Sequence, residues 1–339
     1  MHRPARQPTR LRRMTVIAIG VTTAIPLTAC GAGTDTDSTG ARTSSAPKGV
    51  VTQAAAKKIV DRYEQVNNKA NVTKNSKLLA TVEAGQVNEQ SSAEYEQMHT
   101  WTEAAQKRYQ KPFFYTNRKY YIPAAGSASW FAMQGTSTNE GAKGLMVFDK
   151  VGGTYKAVAA VWMAKGAAVP EIAVDRNGNA EAADPTRHVG ALAPNQLGVA
   201  LADLLETGGK KSGAKLASTT TTKDYVDSYR ERNRSTPKED LSWRTMNYFE
   251  ADPAHPKVYA LKTADGGQFA LFPAAFKAEF LHRQFASGGV IIPGDVSRIY
   301  NPKKRAVMID MYQVQAAAAL SPGSKWRVLG AEDEMVDSK

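Results

Sequence analysis

The stretch GLMVFDKVGGTYKAVAAVWM, residues 144–163, has the pattern of two β-strands joined by a tight turn. Both arms are rich in β-branched and aromatic residues, which favour strands. Gly152 and Gly153 lie between the arms, and hairpin turns need residues that adopt positive φ angles. The stretch therefore predicts an antiparallel hairpin, and the segments around it indicate what kind of sheet it joins.

Further strands are predicted on both sides of this hairpin. From Pro112 onward, strand-forming residues separated by Gly, Pro, Asn and Ser recur in three segments: PFFYTNRKYYIP, SWFAMQG and PEIAVDRNGNAEA. The last segment contains Asn177-Gly178, which is a strong hairpin signal. An antiparallel sheet is therefore predicted for the first half of the chain.

Helices are predicted before this sheet. An amphipathic helix with Thr52 as its N-cap is indicated by four apolar residues at the spacing i, i+3, i+4, i+7: Ala56, Ile59, Val60 and Tyr63. A shorter helix is predicted for SKLLATVEAG, with Gly85 as its C-terminal stop. The first half therefore reads as helices followed by strands.

The second half repeats this order. One helix is predicted for NQLGVALADLLETGG, from an Asn195 cap to a Gly208 stop, and another for TTKDYVDSYRERNRS. Two strands around an Asp265-Gly266 turn are predicted for HPKVYALKTADGGQFALFP. A further helix, opened by Pro273, is predicted for PAAFKAEFLHRQF, and two closing strands for RAVMIDMYQVQAAAAL and SKWRVLGAE.

Helices followed by a curved antiparallel sheet, twice in succession, predict an α+β fold with two tandem domains. The halves end alike, each with a strand, a Gly-containing turn and a second strand: FDKVGGTYKAVAAVW and ALSPGSKWRVLGAE. This layout resembles the cone-shaped folds of the nuclear transport factor 2 and cystatin type. The predicted ranges are 1–29 for a signal peptide, 30–50 for a tether, 51–188 for the first domain and 189–335 for the second.

The N-terminus has the outline of an export signal. Five arginines and no acid precede the mostly apolar run MTVIAIGVTTAIPLTA, which is too short to cross a bilayer as a helix. The chain's single cysteine, Cys30, follows directly, and Leu27-Thr28-Ala29-Cys30 resembles the bacterial lipobox. Arg12-Arg13 leaves the export route open between general secretion and the twin-arginine pathway.

The lipobox resemblance implies that Cys30 receives a diacylglyceryl group, with acyl chains such as palmitate, and becomes the first residue after cleavage. The alternative is a buried or incidental cysteine. A lone thiol in an exported chain forms no internal disulfide, which favours acylation. The Gly-, Ser- and Thr-rich segment after Cys30 predicts a flexible tether. The predicted location is therefore the extracytoplasmic face of the cell membrane, with the chain lipid-anchored.

Net charge and the absence of known motifs say less about function than the N-terminus says about location. The formal net charge of +12 falls to +7 once residues 1–29 and their five arginines are removed. This excess is compatible with anionic partners and equally with ordinary solubility. No Gly-x-Ser-x-Gly elbow, zinc-binding His-Glu-x-x-His or phosphate-binding loop occurs in the sequence. Neither a metal site nor a cofactor is predicted.

The most unusual stretch is KRYQKPFFYTNRKYY, residues 107–121, which combines basic and aromatic residues without an acid. Cations interleaved with rings are typical of surfaces that bind anionic polymers. The proposed binding residues are Lys107, Arg108, Lys111, Arg118 and Lys119. The alternative, which the alternation favours, is a strand whose rings fill a core while its cations reach water. A wall polymer is therefore a hypothetical partner, and nucleic acid is not expected.

The leader, lipobox, tether and two α+β halves together resemble uncharacterised two-domain lipoproteins of Streptomyces and related actinobacteria. The resemblance implies a location and no activity. The interpretation is a non-enzymatic, lipid-anchored surface protein that binds or scaffolds an envelope component, with Trp101, Trp130 and Trp162 as candidates to line a pocket. Its partners would be the membrane, through Cys30, and an envelope protein or wall polymer.

Two other classes of protein are alternatives. An isomerase or hydrolase of the cone type would use an acid such as Glu103 or Asp310 as a base in an apolar pocket. A solute-binding lipoprotein would need alternating βα units, which the order of helices before strands argues against.

Overall fold

A computed structural model describes residues 48–139, 141–233 and 243–339. Residues 47–339 form one compact unit. The described residues fold into two antiparallel sheets with helices packed beside them, which confirms the predicted α+β class. The sheets stay open, and neither closes into a barrel.

The first half begins with helices and continues as a four-stranded sheet. The helices are α1 (Gln53–Thr73), α2 (Ser76–Leu79), α3 (Gly85–Gln97) and α4 (Glu103–Gln110). The strands are β1 (Tyr115–Tyr121), β2 (Trp130–Ser137), β3 (Lys143–Val151) and β4 (Thr154–Trp162). They pair in sequence order, so β1 and β4 are the edges.

The second half carries a larger sheet. Its helices are α5 (Leu197–Glu206), α6 (Thr220–Arg232) and α7 (Asp295–Tyr300). Its strands are β5 (Arg244–Ala251), β6 (Tyr259–Lys262), β7 (Gln268–His282), β8 (Val307–Leu320) and β9 (Arg327–Ser338). The order is β5-β7-β8-β9, and β6 pairs with β7 as well.

Several local predictions are confirmed. Thr52 caps α1, because its side-chain oxygen accepts a hydrogen bond from the Ala55 amide at 3.1 Å. Gly152 and Gly153 form the turn between β3 and β4 with φ angles of +58° and +84°. The Asp265-Gly266 turn joins β6 and β7.

Other local predictions are wrong. PAAFKAEFLHRQF is not a helix, because β7 continues through it to His282 and Pro273 is paired with Gln315 of β8. Phe276 and Phe280 are four residues apart, and that spacing puts side chains on one face of a strand as well as of a helix. The segment PEIAVDRNGNAEA makes only isolated bridges, although its Asn-Gly turn is present.

Two helix ends also differ from the predictions. Gly85 begins α3 rather than ending the preceding helix. Asn195 lies inside the short 3-10 turn Pro194–Gln196, which leads directly into α5, and so it is not the N-cap. In both cases two helical segments lie close together in the sequence, with five residues between α2 and α3 and none between the 3-10 turn and α5, and sequence patterns place such boundaries poorly.

The two sheets share a hydrophobic core. Trp130, Leu145 and Val161 of the first sheet cluster with Leu261, Phe269 and Leu329 of the second, and each is at most 7% exposed. Gly330 lets β9 approach the end of β4, because a Cβ there would lie 2.2 Å from the Trp162 carbonyl oxygen. The halves are therefore packed together through side chains from both sheets.

A cluster of four buried glutamines, Gln86, Gln90, Gln97 and Gln315, holds the halves together through hydrogen bonds. The three on α3 lie on one helix face and donate to the backbone carbonyls of β8 and β9. Gln315 of β8 donates to the Gln90 side chain and accepts a hydrogen bond from the Ala160 amide on β4 at 2.7 Å. We call these residues the glutamine cluster.

The predicted boundary between residues 188 and 189 lies in the connection between β4 and α5. The division into two domains stays a prediction. The shared core and the glutamine cluster, however, place buried groups of each half against the other.

We expect residues 189–339, produced alone, to give no cooperative thermal transition, because their share of the common core would face water. Mixing them with residues 48–188 is expected to restore one cooperative transition, measured by circular dichroism. The intact 47–339 unit is the control. A cooperative transition of the isolated second half would contradict the expectation.

Candidate functional site

A cavity of about 390 Å³ lies where the two halves meet. We call it the seam cavity. Side chains from β2, from the connection after β4 and from the segment around β6 line it: Ser127, Trp130, Ala182, Ala183, Pro185, Asn195, Pro256, Lys257, Val258 and Ala260. The lining is mostly apolar with a few polar groups, which is the usual composition of small-molecule sites.

A buried carboxylate anchors the charged end of this cavity. Asp149 is 5% exposed and accepts hydrogen bonds from the Lys257 ammonium at 2.5 Å, Ser129 at 2.7 Å and the Tyr259 hydroxyl at 3.2 Å. Burial by itself raises the pKa of Asp149, but these hydrogen bonds and the Lys257 charge hold it below its ordinary value. Asp149 therefore stays ionised and fixes Lys257 at the cavity.

Aromatic packing completes the same corner. The rings of Trp130 and Tyr259 meet edge to face with their centroids 5.3 Å apart, and the Lys257 ammonium lies 5.3 Å from the centre of the Tyr259 ring. The side chain of Lys257 is 54% exposed, so its remaining N–H donors are accessible to solvent. The corner thus combines an indole, a fixed ammonium and apolar walls.

A second cavity, of about 240 Å³, lies between α1 and the turn that joins β3 to β4. Its lining includes Tyr63, Val82 and Phe148. Behind Tyr63 lies Glu83, which is 2% exposed and accepts a hydrogen bond from the Tyr63 hydroxyl at 3.2 Å. Burial raises the pKa of Glu83 to about 8, although hydrogen bonds from Ser91 and Tyr63 oppose the rise. Glu83 is therefore protonated over most of the neutral pH range.

Asp149, Lys257 and Glu83 are not among the site residues that the sequence predicts. A signal was present for the two acids, because each stands next to an apolar run: Asp149 in GLMVFDKV and Glu83 in LLATVEAG. An acid at such a position is either an outward-facing strand residue or a buried one with a partner. The partners are distant in sequence, at Lys257 and Tyr63, so the pattern alone does not decide between these cases.

Arg118, one of the five proposed polymer-binding cations, forms ion pairs within the protein. Its guanidinium pairs with Glu64 at 2.7 Å and Asp61 at 2.5 Å, both on α1. The register between β1 and β2 shifts between Thr116 and Lys119, a stretch that contains Arg118 and in which Asn117 has a φ of +50°. The bulge turns Arg118 towards α1, where it joins helix to sheet.

The other four cations remain exposed at the surface. Lys107 pairs with Glu103 one helical turn away, Lys119 lies 5.5 Å from the centre of the Tyr121 ring, and Arg108 and Lys111 are exposed. Of the six rings in the stretch, Phe114 is 46% exposed, while Tyr115 and Tyr121 are buried in separate cores. Polymer binding by these cations stays a prediction.

The two acids that an enzyme of the cone type would use as a base differ in their exposure to solvent. Glu103 is exposed and paired with Lys107, whereas Asp310 is 4% exposed and accepts a hydrogen bond from Ser297 at 3.0 Å. Burial raises the pKa of Asp310. Neither residue lines either cavity.

Of the three tryptophans weighed for a pocket, Trp130 lines the seam cavity, and Trp101 and Trp162 pack against the core of the first half. Within residues 48–139, 141–233 and 243–339, no three His, Cys, Asp or Glu side chains are grouped closely enough to hold a metal ion. None of the helices in these ranges is both long enough and apolar enough to cross a bilayer. Cys30 and the lipobox lie outside the described residues.

Comparison with known proteins shows what the chain is similar to. The family model for a domain of unknown function, DUF8094, matches residues 47–339. An uncharacterized lipoprotein of Streptomyces coelicolor is 33% identical to the chain over 285 residues, which cover 78% of this chain and 77% of that protein. The predicted resemblance to uncharacterised Streptomyces lipoproteins is confirmed. The family match includes both sheets and the seam cavity.

We expect Glu83→Gln to flatten the pH dependence of stability between about pH 5 and pH 8. The native state keeps the Glu83 proton in this window and the unfolded chain releases it, so the parent loses stability as the pH rises, by at most about 1.4 kcal/mol per pH unit from this group. Urea unfolding at several pH values measures the effect. Glu103→Gln, at an exposed position, is the control and should leave the slope unchanged.

Proposed function

The chain belongs to the DUF8094 family, and we propose that it is a lipid-anchored envelope protein with a non-enzymatic binding role, carried by the seam cavity. Anchoring would be through a diacylglyceryl group on Cys30, at the extracytoplasmic face of the cell membrane. The cavity carries the binding part of the proposal, since both halves contribute to its walls and a fixed ammonium stands at its edge.

Support for the anchor comes from the N-terminal sequence and from the relative. Cys30 closes the lipobox-like sequence Leu27-Thr28-Ala29-Cys30, and the Streptomyces coelicolor relative is named a lipoprotein. A diacylglyceryl group brings two acyl chains, which hold a protein at a bilayer far more firmly than one. The composition of the segment after Cys30 suits a flexible tether to the folded unit.

Support for binding comes from the size and chemistry of the seam cavity. Its volume of about 390 Å³ falls within the usual range for small-molecule sites, roughly 300–1,000 Å³. Alanine, proline and valine side chains offer an apolar wall, and Ser127 and Asn195 offer hydrogen-bonding groups. A ligand with a compact apolar body suits these walls.

The positive charge of Lys257 indicates that the ligand carries a negative charge. Lys257 is the charged residue in the lining, and its ammonium donates to Asp149 at 2.5 Å and, more weakly, to the Ser129 hydroxyl at 3.4 Å. One of its three N–H donors is left for an anionic group on the ligand, and hydrogen bonds between ionised groups are roughly twice as strong as neutral ones. We therefore propose a small ligand that joins an apolar body to one anionic group, such as a carboxylate, sulfonate or phosphate.

Anilinonaphthalene sulfonate has this chemistry and reports its own binding by fluorescence. We expect the 47–339 unit to bind one equivalent. The test measures the effect of Lys257 by comparing Asp149→Asn with Asp149→Asn/Lys257→Met. Lys257→Met alone is avoided, because it would leave the buried Asp149 carboxylate unpaired. The double variant is expected to bind about tenfold more weakly than the single variant, through loss of a charge-assisted hydrogen bond.

Two control variants test whether the probe binds at the seam cavity. Lys262→Met removes an exposed lysine that pairs with Glu181 and should leave binding unchanged. Phe285→Ser removes an exposed ring remote in sequence from the cavity and should also have no effect. Equal binding by the two Asp149 variants would remove the support for the seam cavity as an anion site.

We expect Cys30→Ala to move the full-length protein out of the membrane fraction, since the acceptor of the diacylglyceryl group is lost. Mass spectrometry of the parent should find Cys30 at the mature N-terminus with the mass of the lipid added. An unmodified thiol at Cys30, or unchanged membrane retention of the variant, would refute the anchor.

A further inference from the structure

We propose that one end of the second sheet docks on an anionic lipid surface. Five large apolar side chains are exposed at this end, and we call them the apolar tip: Trp243, Phe285, Val290, Ile292 and Val307. Their exposed fractions run from 39% for Trp243 to 62% for Ile292. The proposal concerns a second membrane contact, separate from the seam cavity and from the lipid on Cys30.

The sheet register brings these residues to one place. Arg244, the first residue of β5, pairs with His282, the last residue of β7, and Leu281 pairs with Val307 at the start of β8. Trp243 therefore lies beside the end of β7, where its ring is 5.8 Å from that of His282 and its carbonyl accepts a hydrogen bond from the Arg283 amide. The strand ends of β5, β7 and β8 thus meet at the apolar tip.

The connection between β7 and β8 supplies the remaining apolar residues. It leaves the sheet after His282, forms the 3-10 turn Phe285–Ser287 and returns beside β8, where Ile291 bridges to Arg305. Ile291 is 1% exposed and packs inward with Phe280 and Met308. Its neighbours Val290 and Ile292 alternate with it and therefore point outward.

Such clustering is unusual for a surface. The described ranges contain eleven exposed large apolar side chains, and five of them belong to the apolar tip, including the sole exposed tryptophan and isoleucine. Exposed apolar residues scattered singly need no explanation, whereas a contiguous group marks an interaction site. The remaining six are five valines and Phe114, distributed from residue 72 to residue 199.

The charge around the apolar tip identifies what covers it. Residues 283–306 contain five basic residues and one acid, Asp295. Arg298 lies near Asp295, and Arg305 is held by backbone carbonyls and Ser338. Arg283, Lys303 and Lys304 are exposed and, within the described part of the chain, make no ion pair. Within the residues that the structure describes, the apolar tip therefore has three basic side chains at its rim that pair with no acid.

Apolar side chains that include an indole, bordered by cations that no described acid pairs with, match the interface of a bilayer with anionic headgroups. The rings enter the boundary between headgroups and acyl chains, and the cations remain at the level of the phosphates. A protein partner, by contrast, would need acids positioned opposite Arg283, Lys303 and Lys304, and its binding would not depend on a bilayer. We therefore commit to an anionic lipid surface.

The test uses the 47–339 unit, which lacks the proposed lipid anchor and contains every core residue of the fold. Vesicles of equal parts phosphatidylglycerol and phosphatidylcholine are the probe. The parent should sediment with these vesicles at low salt, less at high salt, and at most weakly with phosphatidylcholine alone. Tryptophan emission should shift to shorter wavelength on binding, and Trp243→Phe should abolish the shift, because the other four tryptophans are less exposed.

Matched variants separate the two parts of the surface. Phe285→Ser/Ile292→Ser is expected to weaken binding at least about tenfold by removing apolar burial, whereas Val72→Ser/Val174→Ser, equally exposed elsewhere, should have no effect. Lys303→Gln/Lys304→Gln should weaken binding by about fivefold per lysine and reduce its salt dependence.

Three outcomes would overturn the proposal. They are failure of the parent to bind the anionic vesicles at low salt, equal binding to neutral vesicles, and equal losses in the control and in the Phe285→Ser/Ile292→Ser variant. Because the assay needs neither Cys30 nor the seam cavity, its failure leaves the proposed function standing, and the reverse holds too.

Discussion

Hydrogen bonding of the edge strand β4 is the constraint on which the rest of the fold depends. An edge strand presents backbone groups that need partners, and β4, which is half-buried along most of its length, lies against the second half of the chain. The segment before α3 covers part of this edge, where Ala157 exchanges hydrogen bonds with Val82 and Ala84. The glutamine cluster covers the next part, because Gln315 accepts from Ala160 and in turn donates to Gln90. Each buried amide group left without its partner would cost about 1–3 kcal/mol.

This constraint fixes where the two halves meet and so creates the seam cavity. Once β4 and β9 are held close at Gly330, the segment around β6 must lie against β2 and β3. Asp149 then enters a buried position opposite Lys257. A buried carboxylate without a partner would be costly, so Lys257 is required for packing as well as for the chemistry of the cavity. Structure and proposed binding therefore depend on the same ion pair.

Patterns of apolar residues predicted most of the local structure, because strands and amphipathic helices leave a clear period in sequence. Of the nine strands in the described part of the chain, eight lie at least partly in segments that the sequence predicts as strands. β5 lies outside those segments, and the second half of β7 was read as a helix because Phe276 and Phe280 suit both periods. The α+β class followed from the order of elements alone. Apolar periodicity does not predict helix α3, because three of its six buried residues are glutamines, which hydrophobic patterns count as solvent-exposed.

The candidate sites were less predictable, since charge in the sequence does not indicate which cations are paired in the fold. The basic aromatic stretch at residues 107–121 and the basic segment at residues 301–306 are both rich in Lys and Arg. The sequence alone gives no reason to expect that one is more accessible to an anionic partner than the other. In the structure, Arg118 is neutralised by Asp61 and Glu64, and the rings of the stretch are buried or half-buried except for Phe114. At the second segment, Lys303 and Lys304 stay exposed beside apolar side chains that β5, β7 and β8 bring from distant positions. Long-range strand pairing therefore decides which basic segment has an apolar surface next to it, and composition carries no trace of that pairing.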